Sequence, residues 1–268
     1  MPFSISPGGR SPTPGSSTIQ TRSMTYAVSF LLEQGLVFAS DSRTSAGVDR
    51  VSIARKMTIF EQPGDRFMTL LSSGNLAITQ AVIRHLQDDL ETGGEGDLFA
   101  APSMFAATRM VGTALRKVHD IDAESMQEQG HGFNASFIMG GQVDGGEARI
   151  FMIYSAGNFI EATVEAPYLQ IGETKYGKPI IDRTITFQSS LDEAVKCSLV
   201  SFDATMRSNV SVGPPIDIVT YRRDSLKIGL RVQLGEDDPF LRLIRDYWGG
   251  ALRRAFDDMP DPDWLKRL

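Results

Sequence analysis

The stretch from Met24 to Arg43, MTYAVSFLLEQGLVFASDSR, constrains the fold more than any other part of the chain. An alternating apolar run, Tyr26 to Leu32, leads into Glu33-Gln34-Gly35, and the chain returns as Leu36-Val37-Phe38-Ala39-Ser40-Asp41. That pattern predicts a β-hairpin. It carries Asp41 back beside Thr25, the residue that opens the first arm. If the working chain starts at Thr25, a hydroxyl and a free α-amine share one residue. The hydroxyl alone is a poor nucleophile, but an α-amine titrating near about 7.7–8.0 is a base poised close to neutrality. These residues point to an N-terminal-nucleophile hydrolase.

Composition narrows the alternatives. At 268 residues with 41% apolar side chains, the sequence supports one large layered domain with a sizeable core over Thr25 to Leu234. A formal net charge of −6, with both signs interspersed, gives no basic run for nucleic acid or an anionic membrane. The single cysteine, Cys197, excludes an intrachain disulfide and suits a reducing, cytoplasmic setting. No apolar segment reaches the roughly 18–20 residues that span a bilayer. Residues 1–24 are expected to be a disordered leader, a propeptide or an upstream extension of the true start, because Met1 to Ser23 is rich in Ser, Pro, Gly and Thr. Residues 25–268 then form the hydrolase domain, and removal of Met24 would expose Thr25.

Further along, Thr44 to Arg50 reads as a turn-rich loop, and Val51 to Phe60 and Arg66 to Ser72 read as strands. Ser73-Gly74-Asn75 breaks into a helix with a 3.6-residue apolar period at Leu76, Ala77, Ala81, Val82, Leu86 and Leu90. A second helix is predicted from about Ser103 to His119. The second half repeats the order: strands at Ala135–Val143, Arg149–Ser155, Phe159–Glu165 and Tyr168–Ile171, then a helix at Leu191–Arg207. Strands at Ile216–Tyr221 and Leu226–Val232 precede a last helix near Pro239–Phe256. Strands, helices, strands, helices predict an α+β fold, a four-layer αββα sandwich of two antiparallel sheets flanked by helices.

Thr25, the SDSRTSAG segment with Asp41, the ARK segment ending in Lys56 and the SSGNLA segment around Gly74 occur in order on these elements. Together they resemble the core of proteasome β-type subunits, and within them the bacterial ancestral β-subunit (Anbu) group, over Thr25 to about Leu234. The resemblance implies a threonine-type peptidase acting on peptides or unfolded proteins inside a homo-oligomer, without a cofactor. Any unfoldase or other regulator would be a separate chain. Thr25 Oγ would attack the scissile carbonyl while the α-amine takes and returns the proton. Lys56 would lower the pKa of both, Asp41 would aim Lys56, and the Gly74 N–H would face the oxyanion. Thr44 and Ser45 would border the first specificity pocket.

Two positions depart from the family pattern. Where β-type subunits carry a central Gly-Ser pair, this chain reads Ile171-Gly172-Glu173. In place of Arg-Asp-x-x-Ser-Gly-Gly it reads Arg207-Ser208-Asn209-Val210-Ser211-Val212-Gly213, keeping the serine at Ser211 but placing Ser208 at the aspartate. A carboxylate at Glu173 would tether the ammonium form of the amine and weaken it as a base, so low turnover of standard peptides is expected. Two rival readings keep the fold: an amidase acting on small amides, and a weakly active or non-catalytic scaffold subunit. The run from Gly172 to Pro179 spaces like a phosphate loop, but Pro179 stands where the hydroxyl that meets Mg²⁺ belongs. His85, His119 and His131 lack metal-ligand spacing, and Cys197 sits in an apolar helical period that predicts burial.

Overall fold

The computed structural model describes residues 25–45 and 51–265, and at 44, 45, 51 and 52 the backbone alone. The leader, residues 1–24, lies outside the described residues. The chain runs β1 (Tyr26–Leu32), β2 (Gly35–Asp41), β3 (Arg43–Ser45), β4 (Val51–Ile53), β5 (Met57–Gln62), β6 (Arg66–Gly74), α1 (Leu76–Thr92), a 3₁₀ turn at Leu98–Ala100 and α2 (Met104–Glu128). It continues with β7 (Ala135–Val143), β8 (Arg149–Ile153), β9 (Phe159–Glu161), β10 (Tyr168–Gly172), α3 (Lys178–Thr184), α4 (Leu191–Ser208), β11 (Ile216–Arg222), β12 (Arg231–Leu234) and α5 (Pro239–Asp257).

Two five-stranded antiparallel sheets form, ordered β10-β1-β2-β11-β12 and β5-β6-β7-β8-β9. Side-chain alternation sorts each strand between two cores. In β1, Ala27 and Leu31 enter the core between the sheets, whereas Tyr26, Val28, Phe30 and Leu32 enter the core under α3, α4 and α5. In β6, Phe67 and Leu71 face the first sheet while Met68 and Leu70 face α1 and α2. A strand covered on both faces is apolar along its whole length, and β1 and β2 are buried at every residue. The layers are therefore helices, sheet, sheet, helices, as the sequence predicts.

Three local expectations need correction, and one short helix had no expectation. The loop expected from Thr44 is a strand at its start, β3 paired with β4, and residues 46–50 lie outside the described residues. The second helix starts at the Ser103 cap, whose side chain accepts from the Ala106 N–H, but runs on to Glu128 rather than ending near His119. No proline or glycine occurs from His119 to Glu128 to stop it. The short α3 escaped notice because it has seven residues and opens on Lys178-Pro179, where proline suits a first turn. The strand expected at Leu226–Val232 instead covers Arg231–Leu234. Asp224 and Leu226 take positive φ of 62° and 46°, held by the Gln142 and Tyr221 side chains that meet the Asp224 and Leu226 N–H groups.

Candidate active site

The hairpin register sets Ala27 opposite Ser40, so the ends of the arms, Thr25-Tyr26 and Asp41, meet at the same edge. The Tyr26 N–H donates to Asp41 Oδ1 at 3.0 Å. On the other flank of β1, the Glu173 N–H donates to the Thr25 carbonyl at 2.7 Å. The peptide that joins Thr25 to Tyr26 is thus held from both sides. The Tyr26 ring is fully buried, with its hydroxyl donating to Ser201 Oγ at 3.0 Å and accepting from Gln170 Nε2 at 2.6 Å. Thr25 itself is buried.

Lys56 arrives from the opposite sheet. It precedes β5, and its carbonyl accepts the Ser72 N–H of β6 at 2.9 Å, which fixes where the side chain departs. Its Nζ donates to Asp41 Oδ1 at 2.9 Å and to the Arg43 carbonyl at 2.6 Å. One carboxylate oxygen therefore accepts both the lysine ammonium and the amide next to Thr25. Three sequence candidates, Thr25, Asp41 and Lys56, are brought together across two sheets.

Both charges are buried, Asp41 at 0% exposure and Lys56 at 6%. Burial pushes the Asp41 carboxyl up to about 6, against the opposing pull of the Lys56 ammonium and of the Tyr26 and Gly213 backbone amides. Burial likewise holds Lys56 below the usual lysine range, with Asp41 opposing.

The pH dependence has opposite signs for chemistry and for folding. On the reading proposed below, in which the Thr25 α-amine is the base, turnover falls on the acid side as that amine protonates and steepens by a second proton below about pH 6 as Asp41 loses its charge. Folding responds otherwise. A carboxyl whose folded pKa is raised binds its proton more tightly folded than unfolded, so from about 6 down to its model value of 3.8 Asp41 taken alone favours the fold. Rate profiles and urea titrations on the same samples check this: activity is expected to vanish below pH 6 before stability does.

The remaining candidates lie on β3, at the end of β6, just after β10 and at or beyond the end of α4. Gly74 ends β6 and is exposed, with φ +115°. A Cβ there would stand 2.3 Å from the Asn134 carbonyl oxygen, so the close approach of β7 by itself demands glycine. Ser211 lies between α4 and β11, and its N–H donates to Asn209 Oδ1 at 2.9 Å. Asn209 in turn donates from Nδ2 to Glu173 Oε2 at 3.1 Å. Glu173 thus touches Thr25 through its backbone and the Ser211 loop through its carboxylate. Ser208, the last residue of α4, is exposed. Thr44 and Ser45 contribute backbone to β3, and their side chains lie outside the described residues.

Two residues that sequence reasoning passed over complete the surroundings. Asn209 links Glu173 to Ser211, and its signal was its place inside the very run that departs from the family pattern. Arg43 lays its guanidinium over Gly213, where an added Cβ would come within 2.5 Å of Cζ, and donates to the Val210 carbonyl at 3.2 Å. With its backbone carbonyl on Lys56 Nζ and its side chain on the Val210 carbonyl, Arg43 ties the Ser211 loop to the lysine. Among the described residues no group of three His, Cys, Asp or Glu could hold a metal ion, and no helix is long and apolar enough to cross a membrane.

No protein-family model matches the chain, and no curated protein does. Solved structures do. Anbu from Hyphomicrobium sp. strain MC1 is 46% identical, with 89% of this chain and 99% of that chain covered and a TM-score of 0.82. Anbu (ancestral beta-subunit) from Yersinia bercovieri is 43% identical over 89% of this chain and 98% of that one, with a TM-score of 0.83. The helical assembly of the Anbu complex from Pseudomonas aeruginosa is also 43% identical, covering 88% and 98%, with a TM-score of 0.84. Identity above 40% across nearly the whole length of each of these structures, on the same αββα sandwich, places this chain in the Anbu family of proteasome-like ancestral β-subunits.

Proposed function

We propose that this protein is a proteasome-like threonine-type peptidase whose nucleophile is Thr25 once it becomes the N-terminal residue. The observation that carries the reading is the shared Asp41 oxygen, which aims Lys56 at the peptide directly following Thr25. Thr25 Oγ attacks the scissile carbonyl, and the α-amine accepts the hydroxyl proton and delivers it to the leaving amine. The Lys56 ammonium lowers the cost of forming the alkoxide and of keeping the amine unprotonated. The Gly74 N–H is assigned to the developing oxyanion, and Thr44 and Ser45 to the rim of the first specificity pocket. Ser211 and Glu173 are assigned to the surroundings of the amine, a reading supported by the Glu173 N–H on the Thr25 carbonyl.

Substrates are peptides or unfolded proteins, the working form is a homo-oligomer in the cytoplasm, and an unfoldase, if used, is a separate chain. The Pseudomonas relative's helical assembly supports an oligomer of this chain. No cofactor takes part in the proposed steps.

Intact-mass measurement with and without a β-lactone tests the nucleophile and the terminus together. The expected species begins at Thr25 and gains one inhibitor adduct on that residue. A chain that starts at Met1 and still hydrolyses peptides would remove the amine from the mechanism.

A second reading, a weakly active scaffold subunit, is favoured by one feature. Glu173 stands where the family serine supports the amine, and its carboxylate is engaged by Asn209. Absence of any adduct on a correctly processed chain selects it. If the adduct forms but small amides turn over in preference to peptide pools, the amidase reading replaces the peptidase.

A further inference from the structure

Strand β10 ends beside Thr25. Its register pairs Gly172 with Tyr26, and the Glu173 N–H on the Thr25 carbonyl extends the pairing by one residue, so Thr25 and Glu173 stand directly opposite. Residues paired in this way share one face of a sheet, with Cβ atoms about 4.5–5.5 Å apart. The Leu31 N–H on the Pro167 carbonyl at 2.8 Å, together with the Glu173 bond, marks the odd-numbered residues of β1 as hydrogen-bonded positions. At such a position both backbone groups point across to the partner strand, which sets the Thr25 nitrogen on the β10 side, next to Glu173. A glutamate side chain placed there is long enough to reach an amine on the facing residue.

The carboxylate is instead engaged by Asn209. That residue closes α4, its N–H donating to the Thr205 carbonyl at 2.8 Å. Its Oδ1 accepts the Ser211 N–H at 2.9 Å, which orients the side chain, and its Nδ2 donates to Glu173 Oε2 at 3.1 Å. The loop that follows is pinned by Arg43 on the Val210 carbonyl and by the buried Val212 side chain. Glu173 Oε1 faces the Lys175 ammonium at 3.9 Å, but Lys175 is exposed and water screens the pair.

We propose that Asn209 is a positioning residue for the Thr25 amine, its side-chain amide occupying the Glu173 carboxylate that would otherwise pair with the ammonium. The assignment rests on the peptidase reading, in which that amine is the base. The Asn209 amide and a Thr25 ammonium are competing donors for one carboxylate. With the amide in place, the charged groups around the amine are Lys56 before β5, Arg43 on β3 and Lys175 after β10, which favour its neutral form, and Asp41 at the end of β2, whose charge is spent on Lys56. Without the amide, Glu173 joins them as an anion on the face that Thr25 shares. The ammonium is then favoured, and the base is lost near neutral pH. The low turnover that the sequence implies for Glu173 is avoided for as long as Asn209 holds it.

Trace acetylation of the chain that begins at Thr25, mapped by mass across a range of pH, measures the proton affinity of the Thr25 amine without any turnover. Asn209→Ala is expected to raise the midpoint of the amine by about one pH unit, as an opposite charge brought close does. In a Glu173→Gln background the same substitution should leave the midpoint where it was. The rate of β-lactone acylation, in which Thr25 Oγ opens the ring and its proton passes through the amine to the ring oxygen, should fall about tenfold near pH 7 in Asn209→Ala and approach the wild-type rate toward about pH 9. An unchanged midpoint, or a shift that persists without the Glu173 carboxylate, overturns the proposal. So does an acylation rate lost equally at every pH, the mark of a loosened loop. A shifted midpoint in a chain that takes no adduct removes the peptidase reading and leaves the Asn209 assignment standing, whereas a chain that keeps residues ahead of Thr25 removes both.

Discussion

Lys56→Met is expected to lower the unfolding free energy by about 3–5 kcal/mol, the cost of leaving one member of a buried ion pair without its partner. Asp41 has no exposure, so water cannot replace the ammonium. The loss should shrink as pH falls, since a protonated Asp41 has no charge to bury. In an Asp41→Asn background the same substitution should cost far less, because the carboxylate is already gone. Urea unfolding of the four proteins of the cycle measures the coupling. A single-variant loss below about 1 kcal/mol would mean that the pair is not the buried charge centre described here. Peptide turnover should fall in both single variants, as each removes the positive neighbour of Thr25 or its anchor.

The largest expected effect on chemistry belongs to Thr25, the proposed nucleophile. Thr25→Ala should reduce peptide turnover by about a thousandfold or more while changing stability by no more than about 1–2 kcal/mol. The two losses separate because Asp41 holds the Tyr26 amide and Glu173 holds the Thr25 carbonyl, all through backbone atoms that alanine keeps. Thr25→Ser, which preserves both hydroxyl and amine, should retain a measurable share of the rate. Equal turnover in wild type and Thr25→Ala would assign hydrolysis to another group.

Much of the centre was legible because its parts are local. The Glu33-Gln34-Gly35 turn fixes the hairpin register, and the register alone brings Asp41 to Tyr26. Gly74 was legible as a break between strand and helix, although its neighbour Asn134, which forbids a side chain there, is 60 positions away and invisible to periodicity. Lys56 entered only through the family pattern. No local signal says that a residue before β5, in one sheet, will reach a carboxylate that ends β2 in the other. Asn209 was hidden for the same reason, since its amide bridges Glu173 and the Ser211 N–H from separate segments. The misplaced strand near Leu226 shows the limit from another side: its apolar pattern suits a strand, but Gln142 and Tyr221, supplied by two other strands, hold the backbone in a turn.

By itself, then, the order of residues determined the hairpin, the alternation that divides each strand between two cores, and the helical periods, because these depend on neighbours a few positions apart. The stacking of the two sheets and the packing of loops on them decided what no local pattern can: that Lys56 and Asp41 become a buried pair with shifted proton affinities, and that Glu173 and Ser211 share one asparagine. Each of these is a matter of distance and solvent exclusion between segments far apart in the chain, and only the packed layers set either.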